Sequence, residues 1–417
     1  MSLAARAPVA DVASVLRMAR EAGAWGPDVR AALFHDLDRL EARADELLEA
    51  CPPATLHAVA IKANPVVALL RLLVDRGLGL EAASWEEVEL GLAAGCPADR
   101  LVFDGPAKTE GELRRSLELG VWINADNEAE LQRMVELGAP GRARVGLRVN
   151  PQLGEGAIAA TSTVGRTSKF GVPLDRAAEL VAAYPFITGL HVHTGSQGCG
   201  LELIAAANRA TAEVAHALGL AWLDVGGGLP VRYTAADPEP PTFGAWGEVL
   251  QALPGQPTMR LVTELGRSLH AGPGWALSRI ETVKEVDGVP SLVVHLGADF
   301  LLRRVYRPQD WDYELVVLDP DGHPRGGPTA PTHVAGPLCF SGDLLAKHRQ
   351  LPHARPGDLL MIRDTGAYTL SMWSRHCSRG LPATWGYRVD GLEPLHAGED
   401  PAAVTRFWSL PADEQLG

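Results

Sequence analysis

The strongest constraint on the fold is a repeated alternation. Eight short apolar runs recur along the chain: LHAVAI (56–61), GLEAA (79–83), LVFDG (101–105), VWINA (121–125), ARVGLRVN (143–150), FITGLHVHTG (186–195), AWLDVGGG (221–228) and MRLVTELG (259–266). Between them lie amphipathic segments such as PVVALLRLLVDRG, SWEEVELGLAAG, TEGELRRSLELG and NEAELQRMVELG. The last three each close on a glycine, the residue that a left-handed helix C-cap favours. Strands separated by single helices build parallel β/α units. Eight such units fit a (β/α)8 barrel better than an open doubly wound sheet, because no strong dinucleotide fingerprint accompanies them. In a barrel of this kind, catalytic groups sit at the C-terminal ends of the strands. The preceding stretch, ALFHDLDRLEARADELLEA, has apolar residues at helical spacing.

After residue 272 the pattern changes. ALSRIETVKEVDGVPSLVVHLG, YELVVLD, THVAGPL and DLLMIRDTGAY are strand-like, with turn signals at Asp287-Gly288 and Asp321-Gly322. The expected organisation is therefore α/β: a barrel over 35–272, then a mostly antiparallel β domain over 273–417. An N-terminal segment, 1–34, would join the β domain. At 417 residues the chain is long enough for both. A net charge of −13 offers no basic stripe for nucleic acid and no attraction to anionic membranes. No apolar stretch approaches a membrane span, and the N-terminus lacks a signal-peptide core. The five cysteines show neither metal-ligand spacing nor a disulfide framework, so a cytoplasmic location is expected.

Several residues fall where barrel chemistry is done. Lys62 closes the first strand in HAVAIKANP; a lone lysine is ordinarily an ion-pair partner, but an amine at a barrel rim can form a Schiff base with an aldehyde cofactor. Gly226, Gly227 and Gly228 follow the seventh strand, where backbone N–H groups can approach phosphate oxygens, though a plain tight turn explains three glycines too. His193 and Ser196 lie in HVHTGSQG after the sixth strand; His191 shares that strand face and reads as a satisfied core histidine. Glu264 and Arg267, in TELGRS after the eighth strand, form either a simple rim pair or a pyridine-nitrogen partner and a phosphate ligand. In the second domain, Cys339 (GPLCFSGD) and Tyr368 (DTGAYTL) are unspecific taken singly.

Taken in order, VAIKANP, GLEAASWEEVELGLAAG, LVFDGPAKTEGEL, INADNEAEL, LRVNP, SKFG, HVHTGSQ, DVGGGLP, ELGRS, GPLCFSGD and GAYTLSM resemble the fold type III pyridoxal-phosphate decarboxylases, and most of all the diaminopimelate decarboxylase group. The resemblance spans nearly the whole chain. It implies pyridoxal 5'-phosphate as cofactor, bound to Lys62 as a Schiff base, with His193 stacked on the ring and Glu264 at the pyridine nitrogen. Ser196, Gly226, Gly227, Gly228, Arg267 and Tyr368 would hold the phosphate. It further implies an obligate homodimer in which Cys339, supplied by the partner subunit, protonates the carbanionic carbon, and Lys169 pairs with Asp343 between subunits. Loss of CO2 from a small-molecule amino acid would leave a quinonoid that Cys339 quenches. A carboxylate at the ring nitrogen favours this full electron sink, whereas racemases of the same fold place an arginine there.

The sequence departs from that family in its substrate pocket. CFSGD carries Phe340 where the relatives carry a glutamate that receives a distal amine, so the usual diamino acid is not the expected substrate. Arg303 and Arg304, in ADFLLRRVYRPQ, are alternative carboxylate ligands, and His376 in SRHC replaces part of Ser-x-Tyr-Asn and could face the substrate. Glu81 stands where an aspartate is common. Two rival readings remain: the same cofactor used for racemisation or other α-carbon chemistry, and a non-catalytic relative that binds partners. Retention of Lys62, His193, Glu264 and Cys339 together speaks against the second.

Overall fold

The computed structural model describes residues 12–410 and divides into two compact units. The first comprises Glu41–Arg232 and Pro238–Leu269. It is a closed barrel of parallel strands Leu56–Ala60, Gly79–Ala82, Leu101–Phe103, Trp122–Ala125, Arg144–Asn150, Ile187–His191, Trp222–Asp224 and Arg260–Thr263. Closure comes from the eighth strand pairing with the first, Val262 opposite Leu56 and Thr263 opposite His57. A two-residue strand, Val172–Pro173, adds to the edge of the fifth. All eight expected strands form, but the sixth and seventh end early, at His191 and Asp224. The HTG and GGG stretches leave the ladder as loops: Gly226 (φ 64°) and Gly228 (φ 114°) adopt backbone conformations that no strand shares.

Capping residues start the outer helices where the sequence leads one to expect. Ser84, Thr109 and Asn127 each accept a hydrogen bond from the third residue of Trp85–Ala93, Glu110–Leu119 and Glu128–Glu136, and Glu112 completes a capping box with Thr109. Gly95, Gly120 and Gly138, at φ 81–85°, follow the same three helices. The barrel's lower interior is filled by Trp222, set edge-on to Trp122 with ring centroids 4.9 Å apart. Gly189 on the sixth strand and Gly146 on the fifth make the room, since a Cβ at either would run into the Trp222 indole. Both indole N–H groups are satisfied, Trp122 by the Asp99 carbonyl at 2.7 Å and Trp222 by Thr188 Oγ1 at 2.9 Å.

The second unit comprises the described residues up to Leu40, Tyr233–Asp237 and the chain from His270 onward. Its nine-stranded sheet runs, in order, Leu344–Pro352, Thr329–Ala335, Val289–Val294, Gly274–Val286, Ala31–Asp36, Ala383–Arg388 and Gly391–His396, with Leu315–Leu318 and Leu359–Ile362 joined from the side. Most pairs are antiparallel; Ala31–Asp36 with Ala383–Arg388 and Val289–Val294 with Thr329–Ala335 are parallel. The stretch expected to be helical from residue 32 therefore begins as a strand, and its helix starts at Leu37. Ala32, Leu33, Phe34 and His35 are all buried, so they show no alternation, and a short run covered on both faces cannot be told from a buried helix by periodicity. Phe34 stacks on Trp275 (4.5 Å, 20°) in a core shared with helix Val12–Glu21. Among the described residues, no helix is long and apolar enough to cross a membrane.

Candidate active site

The C-terminal ends of the barrel strands gather an unusual number of buried charges. Lys62 lies in the 3-10 turn Ile61–Ala63 directly after the first strand and forms a close ion pair with Glu81, the third residue of the second strand. Glu81 is fully buried, and its carboxyl is pushed well above the usual range by that burial and by the neighbouring Asp104. Asp104, at the end of the third strand, is held below the usual range: burial acts against it, but Lys62, a hydrogen bond shared with Glu81, and His191 outweigh burial. The two carboxyls titrate as a coupled pair. Arg148, on the fifth strand, stands 3.8 Å from Asp104.

Three loops meet at the triple glycine. A Cβ on Gly226 would lie 2.6 Å from the Val192 carbonyl; on Gly227 it would overlap the Glu264 carbonyl, and on Gly228 the Gly195 carbonyl. Only glycine lets the seventh loop lie this close to the sixth and eighth. The Gly226 N–H donates to Asp224 Oδ1 at 2.9 Å and the Gly227 N–H to His193 Nδ1 at 3.2 Å. Next to this turn, Arg267 donates from Nε and Nη2 to Ser196 Oγ at 3.2 and 3.1 Å, bringing a guanidinium and a hydroxyl together where an anion would be received.

Glu264 is the most telling group. It is buried, and neither carboxylate oxygen accepts a hydrogen bond. Its nearest polar neighbours are His193 Nδ1 at 3.4 Å and His191 Nε2 at 3.5 Å. Burial alone would push its carboxyl up; the two histidines instead hold it well below the usual range. His191 responds in kind, raised by Glu264 and Asp224 against the effect of its burial, while burial lowers His193. Asp224 is pushed well up by burial and by Glu264. Despite the two neighbouring histidines the Glu264 oxygens accept no hydrogen bond, and a protonated pyridine nitrogen would supply a donor. With a lysine, a glycine turn and an arginine–serine pair on the same rim, these residues fit pyridoxal phosphate.

The sequence reading brought Lys62, His193, Ser196, Gly226–Gly228, Glu264 and Arg267 to one end of one barrel, and the structure assembles them there. It treated His191 as core packing, yet His191 is one of the two groups that keep Glu264 charged. Asp104, Arg148 and Asp224 were not singled out. Their common signal is a charged residue near the C-terminal end of a barrel strand, the place where burial and function coincide.

The remaining candidates belong to the β unit. Arg303 stacks over Tyr368 (5.3 Å) and over Trp311 (4.9 Å), whereas Arg304 pairs with Asp312 at 3.2 Å. Tyr368 has a left-handed backbone, φ 57°. Phe340 stacks on the exposed Tyr306 (5.9 Å, 10°) and meets His376 edge-on at 5.9 Å. Cys339 is exposed. Asp343 is buried, and its carboxylate accepts from the amides of Ala298 and Leu338, both at 2.7 Å; Lys169 lies over the Phe170 ring at 5.0 Å.

Comparison with known proteins agrees with this geometry. The family described as "Pyridoxal-dependent decarboxylase, pyridoxal binding domain" matches residues 37–271. The chain belongs to this family. It is 33% identical to the diaminopimelate decarboxylase of Zymomonas mobilis over 344 residues, covering 79% of this chain and 80% of the relative. Identity to the Pseudomonas aeruginosa diaminopimelate decarboxylase is 34% over 370 residues, covering 82% and 86%. Among solved structures, the Helicobacter pylori diaminopimelate decarboxylase complexed with L-lysine superposes with a TM-score of 0.84 at 26% identity, covering 92% of this chain and 97% of that one. The protein is a pyridoxal-phosphate-dependent carboxy-lyase acting on an amino acid.

Proposed function

We propose that this decarboxylase acts on an amino acid other than the diamino acids handled by its named relatives, in a site completed by a second copy of the chain. The observation that carries the decarboxylase chemistry is Glu264, a buried carboxylate kept ionised by His191 and His193. When bound, pyridoxal phosphate supplies an electron sink for the pair left by departing CO2. Lys62 is the amine that would hold the cofactor through its aldehyde. Glu264 would hold a proton at the ring nitrogen, which favours decarboxylation over racemisation. Ser196, Arg267 and the Gly226–Gly228 turn would receive the phosphate. Two of the three glycine amides already serve Asp224 and His193, so the turn contributes shape as well as donors.

Cys339 is the proposed acid at the α-carbon, contributed by the partner subunit. Asp343, positioned by the amides of Ala298 and Leu338, is the proposed partner of Lys169 between subunits. Arg303, stacked over Trp311 and Tyr368, and Arg304, paired with Asp312, are the alternative ligands for the substrate carboxylate. Phe340 presents an aromatic face, backed by Tyr306 and flanked by His376, where a distal ammonium would need an acid. Such a face gives an ammonium at best a cation–π contact.

The test is a panel of amino acids, free, N-modified and carrier-linked, assayed for CO2 release and for spectral change of the bound cofactor. Release from a substrate without a distal ammonium supports the reading. Preferred release from diaminopimelate would overturn the specificity, and deuterium entry at the α-carbon without CO2 would overturn the reaction.

A further inference from the structure

Two of the five cysteines meet. Cys339 sits in the turn between strands Thr329–Ala335 and Leu344–Pro352, and Cys377 in the 3-10 turn His376–Ser378. Both are exposed. The Cys339 amide donates to Cys377 Sγ at 3.5 Å. The contact extends one residue further, since Phe340 packs edge-on against His376. The dipeptides Cys339-Phe340 and His376-Cys377 therefore lie side by side at two points of contact.

Both segments are fixed from behind. Asp343 pins the first through the Leu338 and Ala298 amides. The second is held by a two-point Arg375–Glu399 pair (2.6 and 2.9 Å) and by Arg379 on Asp299 at 2.8 Å. Cys377 itself takes a left-handed backbone (φ 58°, ψ 19°), and Ser378 follows at φ 50°. A residue with a Cβ is strained in that conformation, so its neighbours must hold it there.

We propose that Cys339 and Cys377 form an oxidation site that closes to an intrachain disulfide on encounter with a low-molecular-weight disulfide. Cys377 Sγ accepts from the Cys339 N–H, which brings the two side chains within reach of each other. The neighbouring Cys377 raises the Cys339 thiol. Cys377 thiolate attacks the small disulfide, forming a mixed disulfide and releasing one thiolate. Cys339 then attacks Cys377 Sγ, the second small thiolate leaves, and both leaving groups take up the protons lost by the pair. Two electrons pass from the protein to the small disulfide. Under the reading that Cys339 is the acid at the α-carbon, the oxidised protein has no acid to offer, and reduction restores it.

The test uses full-length holoenzyme exposed to oxidised glutathione, then alkylated and digested without reductant. The expected result is a peptide linking Cys339 to Cys377, a protein mass two hydrogens lower, and CO2 release at least tenfold slower that recovers with dithiothreitol. Cys377→Ser should give only a glutathione adduct on Cys339 and no link. Glutathione adducts on both sulfurs of the wild type, or no reaction while Cys339 still alkylates readily, would overturn the site. A full link with undiminished CO2 release would leave the site standing and overturn Cys339 as the acid.

Discussion

The barrel mouth and the turns around Cys339 in the β unit share a chemistry assignment but differ in physical character. In the barrel, Glu81, Asp104, Asp224, Glu264 and His191 are all buried, and their protonation is displaced by burial and by one another. Around Cys339, the residues are half-buried or exposed, and they touch through aromatic faces and sulfur. Buried charges fix which reaction is possible, because each depends on partners that cannot be replaced by water. Exposed aromatics can change with less consequence for stability, so they are where a substrate preference can be rewritten.

That contrast predicts a ranking of effects. Lys62→Ala should lower CO2 release by roughly a thousandfold or more and abolish covalent retention of the cofactor, read by borohydride reduction and mass measurement. Retention in that variant would remove the basis for the whole barrel site. Glu264→Gln keeps the shape and removes the charge; kcat should fall by about 10²–10³-fold while the cofactor stays attached to Lys62. If kcat instead barely changed, the buried carboxylate would be structural and the contrast would collapse. Gly227→Ala drives a Cβ into the Glu264 carbonyl, so kcat/KM should fall about 10²-fold as the loops separate.

In the other region the effects should be smaller. Phe340→Glu should raise kcat/KM for amino acids ending in an ammonium group by about fivefold, the size of a part-exposed ion pair. A fall for those substrates would show that Phe340 does not face the side chain.

Acid should distinguish the units as well. In the β unit, burial lowers His35 to about 3, with His270 adding to the effect, and burial lowers His270 to about 4; in the barrel, His57 is lowered to about 4. An unfolded histidine takes a proton near pH 6.5, so each of these favours the folded state above that pH. Their contribution is lost as pH falls from 6.5 toward 3–4, by at most about 1.4 kcal/mol per pH unit for each group. Amide hydrogen exchange between pH 7.5 and 5 should show protection falling more steeply around His35 and His270, where two such groups act, than around His57. Equal loss in both places would break this part of the comparison.

How far the sequence could be read depended on what each residue answers to. Lys62, Ser196 and Arg267 were found because strand ends in a barrel point to one mouth, and chain order alone gives strand ends. His191 was misjudged for a physical reason: a histidine on a strand face reads as packing unless the group across the barrel is known, and Glu264 is 73 positions away in the chain. Asp104 likewise lies between a lysine and a glutamate contributed by other strands. The contacts of Arg304 with Asp312 and of Arg303 with Tyr368 are also encoded by no periodicity.

The alternation of strands and helices, the capping residues and the glycines at the loops are local properties, set by backbone sterics and by side chains a few residues apart, and the chain carries them openly. The early strand at Ala31–Asp36, the charge state of Glu264 and the meeting of Cys339 with Cys377 were decided by tertiary structure. Each arises from burial or from the approach of segments distant in the chain. Neither quantity exists until the strands have closed.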